Sequence, residues 1–572
     1  MTDNKDVLVE FRNFGFKYNA QQEPTLFDID LCVRRGEKIL IAGPSGCGKS
    51  TLVHCINGLI PFSYKGEMTG SLKIAGKESR ELDLFSISKT VGTVLQDTDA
   101  QFVGMTVAED IAFALENACV IQDEMKKRVL RIAKTVNVQD HLHHAPGELS
   151  GGQKQRVSVA GVMVDDVDVL LFDEPLANLD PATGREAIEL IDELQKETGA
   201  AVIIVEHRLE DVLWRHVDRV VLVSEGRIIS DSDADTLLSL DLLSKAGIRE
   251  PLYVQALKYA GVIMTPEKKP SDPAFSCLDE RDREMVRQWF EASGKKDAAE
   301  KKHPLLEVKD LCFSYEKRNR RALDRISTVI YEGSMTAIVG TNGAGKSTFS
   351  KVICGFETGQ SGEMYFDGID LKDLSMKERA EHIGYVMQDP NHMISQTMIY
   401  DEVAFGLRNR AVPEDEIKSR VEDALKVCGL FRMRNWPVSA LSYGQKKRVT
   451  IASILVLRPK MLILDEPTAG QDYRHYTDIM EFLKSLRNQG ITIVMITHDM
   501  HLMIEYADRA IVFSDGHIIA DDEPARIITD AGIIKTASLR ETSLYLLAKR
   551  CGIDDGTAFV KRFIACEREY RR

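Results

Sequence analysis

One segment of this chain recurs after a fixed interval, and the recurrence limits the fold more than any other feature. Leu149-Ser150-Gly151-Gly152-Gln153 is answered by Leu441-Ser442-Tyr443-Gly444-Gln445. The apolar run Val169 to Phe172, ending in Asp173-Glu174, is answered by Leu462-Ile463-Leu464-Asp465-Glu466. Ser442 lies 292 residues after Ser150, and Glu466 lies 292 after Glu174. A long repeat with a constant offset marks a duplication. The 572 residues therefore divide into two copies of one architecture, each with room for two lobes.

Each copy carries the same phosphate chemistry. Val169 to Phe172 reads as a buried strand with an acidic pair at its carboxyl end. That placement suits holding Mg²⁺ and activating water beside a triphosphate. Ser150 to Gln153 opens a helix with a Ser and two Gly, so backbone N–H groups can point at an anion. Upstream, the apolar strand Lys38 to Ala42 leads into Gly43-Pro44-Ser45-Gly46-Cys47-Gly48-Lys49-Ser50-Thr51. This is GxxxxGK[ST] with a strand before it and a helix after it. The glycines let the backbone wrap phosphates, Lys49 brings a point charge, and the Ser50 hydroxyl suits Mg²⁺. Cys47 reads as a small filler residue in that loop. In the second copy Ala337-Ile338-Val339 leads into Gly340-Thr341-Asn342-Gly343-Ala344-Gly345-Lys346-Ser347-Thr348. ATP and Mg²⁺ are the expected cofactors.

The order of these parts resembles the ATP-binding-cassette (ABC) ATPases. The further landmarks are Gln96 after Thr93-Val94-Leu95, and His207 after the strand Ala201 to Val205. Gln388 and His498 are their counterparts. The resemblance implies an α/β fold of two tandem P-loop NTPase domains. Each would have a RecA-like core, an antiparallel β lobe and a helical lobe, with the domains head to tail. It implies that the Ser-Gly signature of one copy closes on ATP held by the other. Lys49, Ser50, Gln96, Asp173, Glu174 and His207 would then face Ser442 to Gln445. Lys346, Ser347, Gln388, Asp465, Glu466 and His498 would face Ser150 to Gln153. By the same resemblance Glu174 and Glu466 act as base or water orienter, and His207 and His498 bond the γ phosphate. Gln96 and Gln388 reach the metal and the attacking water. The metal set is Ser50, Gln96 and Asp173, with Ser347, Gln388 and Asp465. Ala177-Asn178-Leu179-Asp180 and Ala469-Gly470-Gln471-Asp472 resemble the family's D-loops. Tyr18 and Tyr315 stand where an aromatic stacks on adenine in the family, and each also reads as an ordinary strand aromatic. Two departures stand out: Tyr443 replaces a signature glycine, and the two D-loops differ from each other.

The stretches after the two glutamines are more specific. Asp97 to Val107 runs into AEDIAFALEN, and MQDPNHMISQTMIYDEVAFGLRN repeats it. Both resemble the energy-coupling-factor and cobalt-import branch. Val107, Ile111, Ala114 and Leu115 share a helical face, as do Ile399, Val403 and Leu407. Glu109, Asp110, Asp401 and Glu402 fall beside that stripe. The block reads either as a solvated helix or as a groove for an Arg-bearing helix of a membrane subunit. The resemblance favours the groove. It implies an ATPase subunit of an importer of a vitamin or transition-metal ion. Such a subunit sits peripherally on the cytoplasmic face of the cell membrane. Its partners are a transmembrane coupling subunit and, through it, a substrate-binding membrane subunit, and the two halves pair within one chain. A soluble twin-ATPase translation factor and a sugar-importer twin ATPase are the alternatives.

Composition agrees with a borrowed membrane role. No apolar run approaches the ~20 residues of a span. MTDNKDVLVEFRN does not read as a signal peptide. A net charge of −14 argues against sequence-independent nucleic-acid binding. The ten cysteines form no CxxC pair, which fits a reducing compartment and not a zinc or iron–sulfur site. His141, His143 and His144 read as a solvated loop rather than metal ligands. The expected boundaries are 1–262 for the first domain with a small helical appendage and 263–303 for a linker. The second domain is expected at 304–525 and a helical tail at 526–572, the tail reading as packing between the halves.

Overall fold

The computed structural model describes residues 6–96, 99–177, 179–272, 274–275, 277–292, 303–315, 321–469, 471 and 473–570. The chain forms two compact units, Met1–Trp289 and Phe290–Arg572. Each has a six-stranded sheet and a four-stranded sheet.

In the first unit the larger sheet runs Arg227–Ser232, Arg219–Ser224, Lys38–Ala42, Ala201–Val205, Val169–Asp173, Val91–Val94. All neighbours are parallel except the first pair. Lys38–Ala42 and Ala201–Val205 are buried at every position. Parallel strands covered on both faces need such continuous apolar runs rather than alternation. The register pairs Ile41 with Val205, and Val205 with Asp173. The carboxyl ends of three strands thus share one edge, where ligands of such sheets bind. In the smaller sheet Val7–Tyr18 lies between Leu26–Arg34 and Gly66–Ile74, antiparallel to both. Its Phe11, Phe14 and Phe16 join Ile39, Ile41 and Leu52 in one core.

Helices Val107–Asn117, Gln122–Thr135 and Gly151–Met163 pack on one another as the helical lobe. The first begins at Thr106 in a reciprocal capping box with Glu109. Its buried face is Val107, Ile111, Ala112 and Leu115, while Ala114 is only half-buried. The block's acidic residues are engaged inside their own half. Asp110 accepts from the N–H of Val103 and of Gly104, at 2.8 and 3.0 Å. Glu402 is buried and accepts from the N–H of Ser395 and of Gln396, both at 2.8 Å. Asp401 pairs with Arg408. These carboxylates hold loops and helix starts. Asp97 of the block lies outside the described residues.

The second unit repeats the order as Ile383–Val386, Met461–Asp465, Thr492–Ile496, Met335–Gly340, Arg509–Ser514, His517–Asp522. Its smaller sheet holds Leu323–Tyr331, Pro304–Phe313, Ser361–Phe366 and Ile369–Asp370. Helices Ile399–Arg408, Glu414–Val427 and Tyr443–Leu455 form its helical lobe. The tail helix Gly556–Tyr570 buries Phe559, Val560 and Phe563. It lies against Met500–Tyr506, Pro524–Ile527 and Ser543–Arg550 of its own unit.

Ile263 to Trp289 belongs to the first unit and packs on it, while Phe290 belongs to the second and its ring lies 6.1 Å from that of Phe559. The Tyr253 hydroxyl donates to the Pro270 carbonyl at 2.5 Å, and its ring meets Phe275 edge-on at 5.0 Å. Lys268 pairs with buried Asp282 at 2.7 Å. Among the described residues, no helix is long and apolar enough to cross a membrane.

Burial creates one vulnerable pair. Lys38 is buried and its ammonium donates to Asp192, which also takes Lys196 at 2.7 Å. Asp192→Ala leaves a buried cation unpaired and should cost about 3–5 kcal/mol, seen as a lowered calorimetric transition. Lys196→Ala removes an exposed partner and should cost no more than about 1 kcal/mol.

Candidate functional site

The first phosphate loop leaves the strand Lys38–Ala42 and ends at the helix Lys49–Ile56. Gly46 and Gly48 have φ of 76° and 106°, which side chains rarely adopt. At Gly43 the constraint is space, since a Cβ would lie 2.3 Å from the Val223 carbonyl oxygen. The loop folds back over the buried Lys49, whose ammonium donates to the carbonyls of Gly43 and Pro44 at 2.7 and 2.8 Å. Ser50 is exposed at the second helical position. Cys47 Sγ lies 3.9 Å from the ammonium, and burial pushes its thiol up. The Tyr18 hydroxyl meets Thr51 Oγ1 at 3.0 Å, which anchors that ring beside the loop. The second loop repeats this. Lys346 donates to Gly340 and Thr341, each at 2.8 Å, and Tyr315 meets Thr348 at 3.3 Å. Gly340 has φ 137°, and a Cβ there would sit 1.9 Å from the Phe513 carbonyl oxygen.

Three residues that are far apart in sequence converge at the edge of the first parallel sheet. Gln96 Nε2 donates to Glu174 Oε2 at 2.6 Å, and His207 Nε2 lies 2.8 Å from Glu174 Oε1. Glu174 itself takes a left-handed backbone with φ 48°. Burial pushes its carboxyl up, but the hydrogen bond and charge of His207, with Lys49 and Arg208, outweigh this and hold it below the usual range. Its neighbour Asp173 has no such partner. Burial, then the charge of Glu174, push Asp173 up to about 6. Two adjacent, half-desolvated carboxylates of this kind are oxygen donors suited to a hard divalent cation. Among the described residues, no cluster of three or more His, Cys, Asp or Glu has metal-holding geometry.

The second half builds the same edge with different supports. His498 Nε2 lies 3.2 Å from Glu466 Oε1, and Glu466 has φ 44°. The Thr497 hydroxyl donates to Glu466 Oε2 at 3.4 Å. Asp465 Oδ2 accepts from the Tyr385 hydroxyl at 2.9 Å. Burial, then the charge of Asp465, push the Tyr385 phenol up. Lys447 is buried with its ammonium on the carbonyls of Met387 and Gln388, both at 2.8 Å. Burial pushes it down to about 8 against the pull of Asp465 and Glu466.

Both signature segments cap their helices. Ser150 and Gln153 bond each other's N–H groups at 3.4 and 2.9 Å, and Ser442 and Gln445 do so at 3.3 and 3.0 Å. Gly151, Gly152 and Gly444 open the same helices. Tyr443 keeps its ring 41% exposed and donates its hydroxyl to the Gln388 carbonyl at 3.1 Å. His141 meets Gln153 Nε2 and His144, each at 3.0 Å. Asn178, Gly470 and Asp472 of the D-loop segments lie outside the described residues.

Sequence reasoning missed several supports. Glu206 is buried and accepts from the N–H groups of Leu176, His207 and Arg208 at 3.1, 2.8 and 3.2 Å. It fastens the turn that carries His207, and its position next to that histidine was the available signal. Tyr385 and Lys447 gave no signal of their own, because their partners come from other segments.

Two predictions arise here. Glu206→Ala strands three backbone donors. It should cost about 1–3 kcal/mol in thermal unfolding and lower ATP turnover, with Glu206→Gln milder. Gly43→Ala and Gly340→Ala should each cut binding of a fluorescent ATP analogue at least about tenfold, through steric conflict with a neighbouring carbonyl. Gly147→Ala, where a Cβ meets nothing within 4 Å, should leave it unchanged.

Comparison with known proteins places this geometry. The family model described as ABC transporter matches residues 26–177 and 323–469. A second, described as ATP-binding cassette cobalt transporter, matches 240–313. A protein of Clostridium perfringens named as an ABC transporter ATP-binding protein is 55% identical, covering 99% of this chain and all of that one. One of Enterococcus faecalis with the same designation is 54% identical over 99% of this chain and all of its own. The solved cbiO1 of Clostridium perfringens is titled as part of the ABC transporter complex cbiONQ. It is 38% identical, covers 41% of this chain and 95% of its own, and has a TM-score of 0.38. The chain belongs to the ABC transporter family, as an ATP-binding protein with two fused ATPase domains whose ATP hydrolysis is coupled to transport.

Proposed function

We propose that this chain powers an importer of the energy-coupling-factor type, taking up a vitamin or a transition-metal ion through membrane partners. The observation that carries its chemistry is the clamp on Glu174, with Gln96 on one carboxylate oxygen and His207 on the other. The match of residues 240–313 to a cobalt-transporter model supports the branch. On this reading Gly43 to Thr51 and Gly340 to Thr348 hold the triphosphates, with Lys49 and Lys346 turning to them. The helix starts at Ser150 to Gln153 and Ser442 to Gln445 supply N–H groups for phosphate oxygens, and Tyr18 and Tyr315 take the adenines.

Glu174 stays charged because His207 holds its carboxyl low, so it accepts a hydrogen bond from water at neutral pH and orients it. Glu466, with His498 3.2 Å away, takes the same role in the second half. Gln96 fixes Glu174, and both Gln96 and Gln388 sense the nucleotide. Ser50, Gln96 and Asp173, with Ser347, Gln388 and Asp465, would hold Mg²⁺, which supplies positive charge for the phosphates when bound. We further propose that 1–262 and 304–525 are the ATPase domains, joined by 263–303 and followed by 526–572.

The membrane partner docks on apolar surface beside the two glutamines. Met105 is 84% exposed and Val103 63%, with Phe113 close behind on the same block. Phe405 and Trp436 are exposed in the second half. The chain is peripheral to the membrane on this reading, on its cytoplasmic face.

Glu174→Gln with Glu466→Gln should retain ATP and lose hydrolysis by at least about a thousandfold, measured by nucleotide retention and phosphate release. Brisk turnover would remove both residues from the catalytic role. Met105→Asp with Phe113→Asp should strip membrane proteins from the chain on affinity purification, while ATP binding persists. Recovery of the chain on ribosomes would replace the importer reading with the translation-factor one.

A further inference from the structure

The two glutamine loops are anchored by different means. In the first half the loop is held from within. Gln101 accepts from the Leu95 N–H at 3.1 Å and donates to the Thr93 carbonyl at 3.3 Å. Five residues after Gln388, where Gln101 follows Gln96, the second half has Met393. Its sulfur accepts weakly from the Met387 N–H at 3.1 Å, and it has no donor to offer a carbonyl.

The missing anchorage is replaced from the signature helix. Lys447 grips the carbonyls of Met387 and Gln388, and Tyr443 adds a third bond to the Gln388 carbonyl. Lys446, between them, donates to Asn391 in the same loop at 3.0 Å. The residues at matching places in the first half are Gly151 and Gln155. Glycine has no side chain to reach with. Gln155 donates to the Pro175 carbonyl at 2.8 Å, beside the acidic strand end. So the signature helix of the second half holds the glutamine loop, and that of the first half holds the turn after Glu174.

We infer that Tyr443 and Lys447 are positioning residues for ATP hydrolysis in the second half, tying the placement of Gln388 to the signature helix. This rests on the proposed reading in which Gln388 serves hydrolysis. A movement of the helix Tyr443–Leu455 carries the Gln388 backbone with it, because two bonds reach its carbonyl and a third reaches that of Met387. In the first half the glutamine loop keeps its own internal brace. The two ATPase halves therefore differ in how signature movement reaches the glutamine, although both keep Glu, His and Gln.

A double-mutant cycle in the full chain tests this. Tyr443→Phe keeps an exposed ring and removes only the hydroxyl. It should lower kcat about threefold with KM for ATP unchanged, and have no further effect in a Gln388→Ala background. Lys447→Gln should lower kcat about tenfold, with Lys447→Arg recovering part of the loss. Equal losses from Tyr443→Phe with and without the Gln388 side chain would overturn the inference, as would an unchanged kcat or a raised KM alone. If Lys447→Gln fails to fold, the Tyr443→Phe cycle decides by itself. If Gln388→Ala alone leaves kcat intact, the underlying reading of Gln388 fails instead.

Discussion

On the proposed reading, a carboxylate kept charged while half withdrawn from water is the constraint on which each half turns, and in the first half Glu174 is held below the usual carboxylate range. Glu174 and Glu466 stand at the end of a fully apolar strand, in a left-handed backbone that non-glycine residues seldom adopt. Such strain persists only where the surroundings over-determine it. Here they do. The strand ahead is locked between parallel neighbours, and a histidine from the next strand end bonds the carboxylate itself. The phosphate loop leaves the strand on the other side of the histidine strand in the same sheet, so the parallel register brings cradle and carboxylate to one edge without any long connection having to be ordered. Asp173, one residue earlier, shows the alternative. Without a histidine partner, burial dominates and the group moves the other way.

Duplication preserved the reacting groups and let their supports diverge. Glu206 braces the histidine turn in the first half by taking three backbone donors. Thr497 stands in its place and does a smaller job, accepting from the Asp499 N–H at 3.0 Å and reaching Glu466 with its hydroxyl. Tyr385 bonds Asp465, whereas Thr93 occupies the matching position in the first half, paired with Leu171. The halves share their chemistry and differ in stiffness, which sequence identity at the motifs would hide.

Much of this was legible in the chain, and for identifiable reasons. Parallel strands announce themselves as unbroken apolar runs, and groups at their ends keep fixed distances along the sequence. The constant offset of 292 then made each motif check the other. What stayed hidden involves contacts between segments. A lysine beside a signature reads as surface charge, yet Lys447 is buried on two carbonyls from some sixty positions upstream. The acidic residues of the block after each glutamine looked like a ready-made groove for a cationic partner. In the folded chain Asp110 and Glu402 also take backbone N–H groups, and Asp401 takes Arg408, which a pattern of charges cannot reveal. Likewise the helical phase was read as Ala114 inward, but the lobe buries Ala112, since the facing helix covers a wider arc than a single stripe. The stretch after Val262 looked like a tether because of its prolines. Its first part also meets the first unit through Tyr253 and Phe275, and one such aromatic contact leaves no periodic trace.

The internal use of Asp110, Asp401 and Glu402 has a consequence for assembly. Beside those carboxylates Val103, Met105 and Phe113 are exposed on the first block, and Phe405 on the second. Recognition through these side chains is governed by area removed from water rather than by ion pairing. Attachment of this kind weakens little as ionic strength rises, because it makes no use of exposed charge pairs. It fades on cooling, as apolar association does. A complex built on this face would therefore withstand a high-salt wash and loosen in the cold.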